Sequence, residues 1–130
     1  MVIDTSALLT IIFQEPEAER MTTAVVRSPR RSMSAVNWFE ALMVIESRLG
    51  DASADEAMLI LEELDVSPIP FDKQHMHEAR SAWRRFGKGR HAAGLNMADC
   101  CAYAAAALAD EPLLFKGNDF AKTDLRAAEW

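Results

Sequence analysis

The chain has 130 residues, half of them apolar and 26% charged, with a formal net charge of −6. That length suits one domain with a real core, and the composition excludes a disordered chain. The acidic balance argues against a broad non-specific nucleic-acid surface, which needs an excess of Lys and Arg.

The opening Met-Val-Ile-Asp-Thr-Ser has no basic n-region and no cleavage signature, so nothing suggests export and the expectation is a cytoplasmic protein. The longest apolar stretch, Cys100 to Ala109, is about half of what a bilayer span needs. Cys100 and Cys101 match no zinc spacing and read as small buried thiols.

Val2-Ile3 reads as a short buried strand ending at Asp4. A helix is predicted over about Ser6–Phe13, and a second from Glu15-Pro16 through about Val26, with Pro16 in its first turn. Arg31–Ala35 can form a second strand. The next helix runs from near Asn37 to Gly50, with Val36, Phe39, Leu42, Met43 and Leu49 as its apolar face. Ser53 with Glu56 suggests a capping box for a helix over Ala54–Leu64. Val66–Ile69 is a short strand interrupted by Pro68. Met76, Ala79, Trp83 and Phe86 share one face of a helix ending at Gly87 and Gly89. An alanine-rich helix over Ala98–Ala109 can approach a neighbour closely, and Pro112–Phe115 is the last strand.

Strands alternating with helices imply a parallel sheet covered on both faces, with the ligand site beyond the C-terminal strand ends. Asp4 and the Gly117-Asn118-Asp119 segment then share one edge of the sheet.

Four acids stand out: Asp4, Glu40, Asp99 and Asp119. Hard divalent cations take such oxygen ligands, and they supply what phosphodiester hydrolysis needs. Each acid also has a structural reading. Asn37-x-x-Glu40 and Asn96-x-x-Asp99 look like capping pairs, and Asp119 could cap a short helix. Asp4 is harder to dismiss, because an acid ending an apolar strand is costly unless paired or functional.

The opening V-I-D-T-S-A-L-L, the N-W-F-E, the N-M-A-D-C-x-x-Y-A-A-A and the closing L-L-F-K-G-N-D-F-A-K-T-D-L together resemble a PIN domain, most of all a VapC-type toxin. The resemblance spans essentially the whole chain, residues 1–130 as one domain. It implies a three-layer α/β/α sandwich with a central, mostly parallel sheet. It also implies a Mg²⁺- or Mn²⁺-dependent endoribonuclease that hydrolyses RNA by metal-activated water, leaving 5′-phosphate and 3′-hydroxyl ends. Asp4 and Asp99 match the family's most regular metal-binding acids, Glu40 a further pocket acid, and Asp119 the last one. Asn118 stands where that last acid often lies. The hydroxyl of Thr5 or Ser6, with Ser6 the better match, would hold water or phosphate. A small antitoxin protein is the implied partner, near Trp38, Phe39 and the helices Ser6–Phe13 and Ala54–Leu64. A homodimer is expected, and tRNA is a plausible substrate.

Outside the acids, Arg80, Arg84, Arg85, Lys88, Arg90 and His91 form the one basic concentration, either a solvated face or an RNA phosphate track. Helical spacing is expected to turn Arg80 and Arg84 away from Trp83. His75 and His77 read as surface residues. Competing functions fit less well. A receiver domain wants an acidic pair at the first strand and an acid after a middle one. A haloacid-dehalogenase phosphatase wants Asp-x-Asp, and here the third residue is Ser6. Two PIN-fold alternatives stay open: a housekeeping RNA-processing nuclease and a catalytically weak binding protein.

Overall fold

The computed structural model describes residues 1–130. Four short parallel strands form the sheet: β1 (Val2–Ile3), β2 (Arg31–Ser34), β3 (Val66–Ile69) and β4 (Leu113–Leu114), in the order β3-β2-β1-β4. Successive side chains on a strand point to opposite faces. Val2 and Leu113 accordingly enter one core and Ile3 and Leu114 the other. The first core is built from α5 (Lys73–Phe86) and α6 (Met97–Ala109). The second takes in α1 (Thr5–Ile12), α2 (Ala18–Arg27), Ala41 of α3 (Ala35–Leu49) and Leu61 of α4 (Asp51–Glu63). This is the expected three-layer α/β/α sandwich, and its sheet is wholly parallel.

The strand order reverses beside β1. From β1 the chain steps outward through β2 and β3, then returns to place β4 on the other side. Crevices at such a reversal lie outside the C-terminal strand ends. Asp4, Ser34 and Phe115 are the residues that leave, or end, the three adjoining strands there.

Several helix limits and faces differ from expectation. α3 starts at Ala35, where the Ser34 hydroxyl accepts from Val36 N at 3.3 Å, so Asn37 is inside the helix and not its cap. Its core face is Asn37, Ala41 and Ile45. The expected face is turned outward, with Phe39 62% exposed and Met43 and Leu49 also exposed. Both faces of this helix carry apolar residues, so periodicity alone does not choose. The narrower side is taken inward, and Asn37 is drawn with it by hydrogen bonds. α4 begins directly after Gly50, whose φ of +90° suits glycine, and the Ser53 hydroxyl bonds back to Leu49 O instead of forming a capping box. α2 begins at Ala18, with Pro16 in the preceding turn. In α5 the inward residues are Ala79, Ala82 and Phe86, while Met76 and Trp83 are exposed. His75 is half-buried and meets Asp72 at 2.8 Å, so it is not a free surface residue.

The alanines of α6 do what their size suggests. Ala102, Ala104, Ala105 and Ala106 are essentially fully buried, against the sheet and α5. A longer side chain there has no free volume to enter. Ala104→Leu is expected to lower the unfolding free energy by about 1–3 kcal/mol. Ala107→Leu, on the exposed side of the same helix, should change it by less than about 0.5 kcal/mol. Urea denaturation of the two variants makes the comparison.

Candidate functional site

Asp4 is the buried centre of the acidic group, 3% exposed. It caps α1: one oxygen, Oδ2, accepts from Ser6 N at 2.9 Å and from Ser6 Oγ at 2.6 Å. Ser6 Oγ in turn accepts from Lys116 N at 3.0 Å, which ties the exit of β4 to the exit of β1. The other oxygen of Asp4 has one long contact, from Asn37 Nδ2 at 3.4 Å.

Glu40 and Asp99 follow the same pattern. Thr5 Oγ1 donates to Glu40 Oε2 at 2.6 Å. The Asn96 backbone N donates to Asp99 Oδ2 at 2.8 Å, and the Asn96 side chain accepts from Asp99 N at 2.9 Å. The expected capping box at Asn96–Asp99 is therefore real. Each of the three carboxylates gives one oxygen to a protein donor and keeps the other without a strong partner. None of the four acids pairs with Lys, Arg or His.

Electrostatics shows the convergence. Burial pushes the Asp4 carboxyl up to about 6 from its ordinary 3.8. The two Ser6 hydrogen bonds oppose that shift, and the charges of Asp99 and Glu40 add to it. Asp99 is also raised, first by burial and then by Asp119 and Glu40, with the Asn96 bond opposing. The charges of Asp99 and Glu40 thus reach Asp4, and those of Asp119 and Glu40 reach Asp99, although the four acids come from four separate elements. Asp119 and Asn118 are exposed, and Asp119 makes no capping hydrogen bond to the short helix Phe120–Lys122.

Asn37 is the residue that sequence reasoning missed. It is fully buried, and its amide nitrogen reaches Thr5 Oγ1 at 3.2 Å and Ala98 O at 3.1 Å besides Asp4. It joins β1, α3 and α6 at the site, while its own Oδ1 has no partner. Turning the amide over would set an oxygen against Asp4 and the Ala98 carbonyl. One unsatisfied acceptor is the smaller cost. The only sequence signal was an Asn three residues before an acid, and that looks the same as a cap.

The neighbouring thiols are buried and unpaired. Burial pushes both Cys100 and Cys101 up to about 11. The largest cavity, about 880 Å³, lies away from the acids at the N-terminal ends of β1 and β4, beside Met1, Arg20 and Trp130.

A parallel α/β/α sandwich with unpaired acids at its strand-order reversal is the arrangement expected of a PIN-type domain. The chain belongs to the PIN domain family, whose model matches residues 1–125. Among its relatives, the Ribonuclease VapC of Mycolicibacterium smegmatis is 47% identical over 127 residues, covering 98% of each chain. Ribonuclease VapC30 of Mycobacterium tuberculosis is 44% identical over 125 residues, covering 96% of this chain and 95% of its own. The crystal structure of the sarcin–ricin-loop-cleaving toxin VapC20 of M. tuberculosis superposes with a TM-score of 0.78 at 15% identity, covering 95% of both chains. A toxin–antitoxin complex from Klebsiella pneumoniae gives 0.74 at 17%, covering 95% of this chain and 92% of the other. At those identities the two structures speak for the fold alone.

The raised Asp4 carboxyl has a direct consequence for stability. Between pH 3.8 and about 6 the folded chain holds a proton at Asp4 that the unfolded chain has released. Its contribution is therefore present at low pH and lost as pH rises through about 6. In EDTA, Asp4→Asn should be more stable than wild type above pH 6, by about 2–3 kcal/mol at pH 7.5. The difference should vanish near pH 4. Thermal melts across that range test it, and a mutant less stable at pH 7.5 would show that ionised Asp4 is held by net attraction.

Proposed function

We propose that residues 1–130 act as one nuclease domain, a divalent-metal-dependent endoribonuclease serving as the toxin of a toxin–antitoxin pair in the cytoplasm. The observation that carries this is the acid cluster itself. Three carboxylates each have one oxygen fixed by a protein donor and the other without a strong partner, each near enough to feel another's charge, with no basic side chain to offset it. Keeping like charges together in a half-buried crevice is unfavourable unless a cation joins them. The relatives named as VapC ribonucleases match over nearly the full chain.

The donor set fits Mg²⁺ or Mn²⁺: it is all oxygen, with no Cys or His among it. No three Asp, Glu, His or Cys side chains close on a single point in the present arrangement. An ion there would have to keep several waters and be completed by substrate phosphate, as Mg²⁺ does at phosphate-processing sites. Asp4, Asp99 and Glu40 would hold it directly or through water, with Asp119 assisting and Asn118 able to offer an amide oxygen. When bound, such an ion lowers the pKa of water toward neutrality and offsets phosphate charge. Ser6 keeps Asp4 in one rotamer, Thr5 does the same for Glu40, and the Asn96 cap fixes Asp99. Because the Ser6 and Thr5 hydroxyls are committed to carboxylates, their part is to position acids more than to touch phosphate.

Two surfaces suit protein partners. Ile11, Ile12, Thr22, Leu49, Ala57 and Ile60 line a groove of about 410 Å³ between α1, α2, α3 and α4. An amphipathic antitoxin helix fits such a groove. The exposed Phe39 and Met43, one turn apart on α3, form an apolar stripe suited to a homodimer. Among RNAs, tRNA and a ribosomal stem-loop are the substrates to assay first.

The purified chain is expected to cleave RNA with Mg²⁺ or Mn²⁺ and to stop in EDTA, and Asp99→Asn should lower kcat by about 100-fold or more. Robust cleavage in excess EDTA would overturn the mechanism. Expressed alone, the chain should arrest growth, with rescue by a co-expressed antitoxin that Ile60→Glu weakens. Harmless expression of a folded, RNA-cleaving chain would move the reading to a housekeeping nuclease.

A further inference from the structure

A second crevice adjoins the acids and differs from them in every chemical respect. It is an apolar trough of about 400 Å³ between α5 and the start of α6. Phe71, Met76, Trp83 and Met97 line it, and all four are large and substantially exposed, Met97 at 76% and Trp83 at 43%. Its floor is Cys100 and Cys101, and Asn96 lies at its margin. Asn96 is the residue hydrogen-bonded to Asp99, so the trough and the acid cluster meet at the first turn of α6.

The rim is basic. Arg80 and Lys88 line the trough, contrary to the expectation that Arg80 faces away from Trp83. Arg90 stacks over the Trp83 ring at 3.9 Å from its centroid. Arg85, in contrast, is tied to Asp124 and Tyr103 and is turned from the trough. Arg80, Arg84, Lys88 and Arg90 have no salt bridge at all in a chain of net charge −6. The indole is seated by Gly87: a Cβ there would lie 2.6 Å from Trp83 Cδ1. Trp83 is therefore an exposed aromatic plane with a fixed seat and a planar cation already on it.

We propose that this trough is a nucleobase subsite of the nuclease, which takes an unpaired base of single-stranded RNA beside Trp83 and its flanking phosphates on Arg80 and Lys88. The proposal rests on the ribonuclease reading above. Of the occupants that could cover apolar surface here, single-stranded RNA brings a flat π-face together with anionic charge, which complements an apolar, aromatic lining that also carries Arg80 and Lys88. An isologous contact with a second copy would set unpaired cations against their own equivalents near the symmetry axis. The position is also suitable, since Asn96 at the margin of the trough is hydrogen-bonded to Asp99. Such a subsite would make the enzyme select loops or other unstacked segments, because a base inside a duplex cannot enter the trough.

The test compares wild type, Trp83→Ala, Trp83→Phe and Arg80→Ala, each confirmed as folded by circular dichroism. With a stem-loop RNA, Trp83→Ala should raise KM by about 10-fold, with the loss falling on KM more than on kcat, and Trp83→Phe should recover most of it. Arg80→Ala should raise KM less and flatten its salt dependence. An abasic residue scanned through the loop should weaken wild type at one position and leave Trp83→Ala indifferent there. Binding is read separately from cleavage, in EDTA, from quenching of tryptophan fluorescence by the intact RNA; Trp83→Phe should lose most of the quench. A wild type that binds RNA with this quench but does not cleave would overturn the nuclease reading and leave the subsite standing. Unchanged KM and unchanged quench in the Trp83 variants would overturn the subsite. So would a Trp83→Ala chain that becomes monomeric by light scattering, or loses antitoxin alone, with RNA affinity intact; the trough would then be a protein interface.

Discussion

Much of this structure turns on a carboxylate placed where a carboxylate is expensive. Asp4 follows two fully buried strand residues and is itself nearly inaccessible. Burial disfavours its charged form, and two further acids nearby increase the cost. The surrounding architecture limits that cost without removing it. Ser6 supplies two hydrogen bonds to one oxygen, and the N-terminus of α1 favours negative charge. No basic side chain completes the pairing, and a divalent ion would have most to contribute there.

The scaffold brings distant segments to this point through the strand order. β1 lies between β2 and β4, so residues that leave these strands share one edge although they are about 30 and 110 positions apart in the chain. α6 then approaches because its inner face is alanine, and Asn37 fastens α3 to that helix through Ala98. Asp99 reaches the cluster as a capping residue of α6. Here the structural and the chemical readings of one acid are both true. The capping bond takes Oδ2 and orients the remaining oxygen.

Charge is segregated on the surface around this centre. The acids occupy the crevice at the strand ends, while unpaired arginines and a lysine collect beside an aromatic trough one helical turn away. A polyanion is repelled by the first region and attracted by the second. Binding and chemistry can thus be carried by adjacent but oppositely charged surfaces, and the net charge of −6 is no obstacle to an anionic substrate.

The alternation of strands and helices was legible in the sequence because period and punctuation are local properties. The fold class, every strand and every main helix follow from apolar runs, Gly and Pro. Asp4 was legible because an acid at the end of an apolar strand violates a local rule, and Asp99 because its motif is long. The facing of α3 was not legible. That helix is apolar on both sides, so the choice between Phe39 and Ala41 as the inward residue depended on how closely α1, α6 and the sheet approach. The role of Asn37 was hidden for the same reason: its partners lie 32, 33 and 61 residues away, beyond any local pattern. The trough around Trp83 was not legible, because helical spacing puts Met76, Ala79, Trp83 and Phe86 on one face but does not show whether another element covers it. Sequence alone determined the elements and the unusual acid. Only the tertiary structure decided which side chains meet, because close approach is settled by packing between segments and not within them.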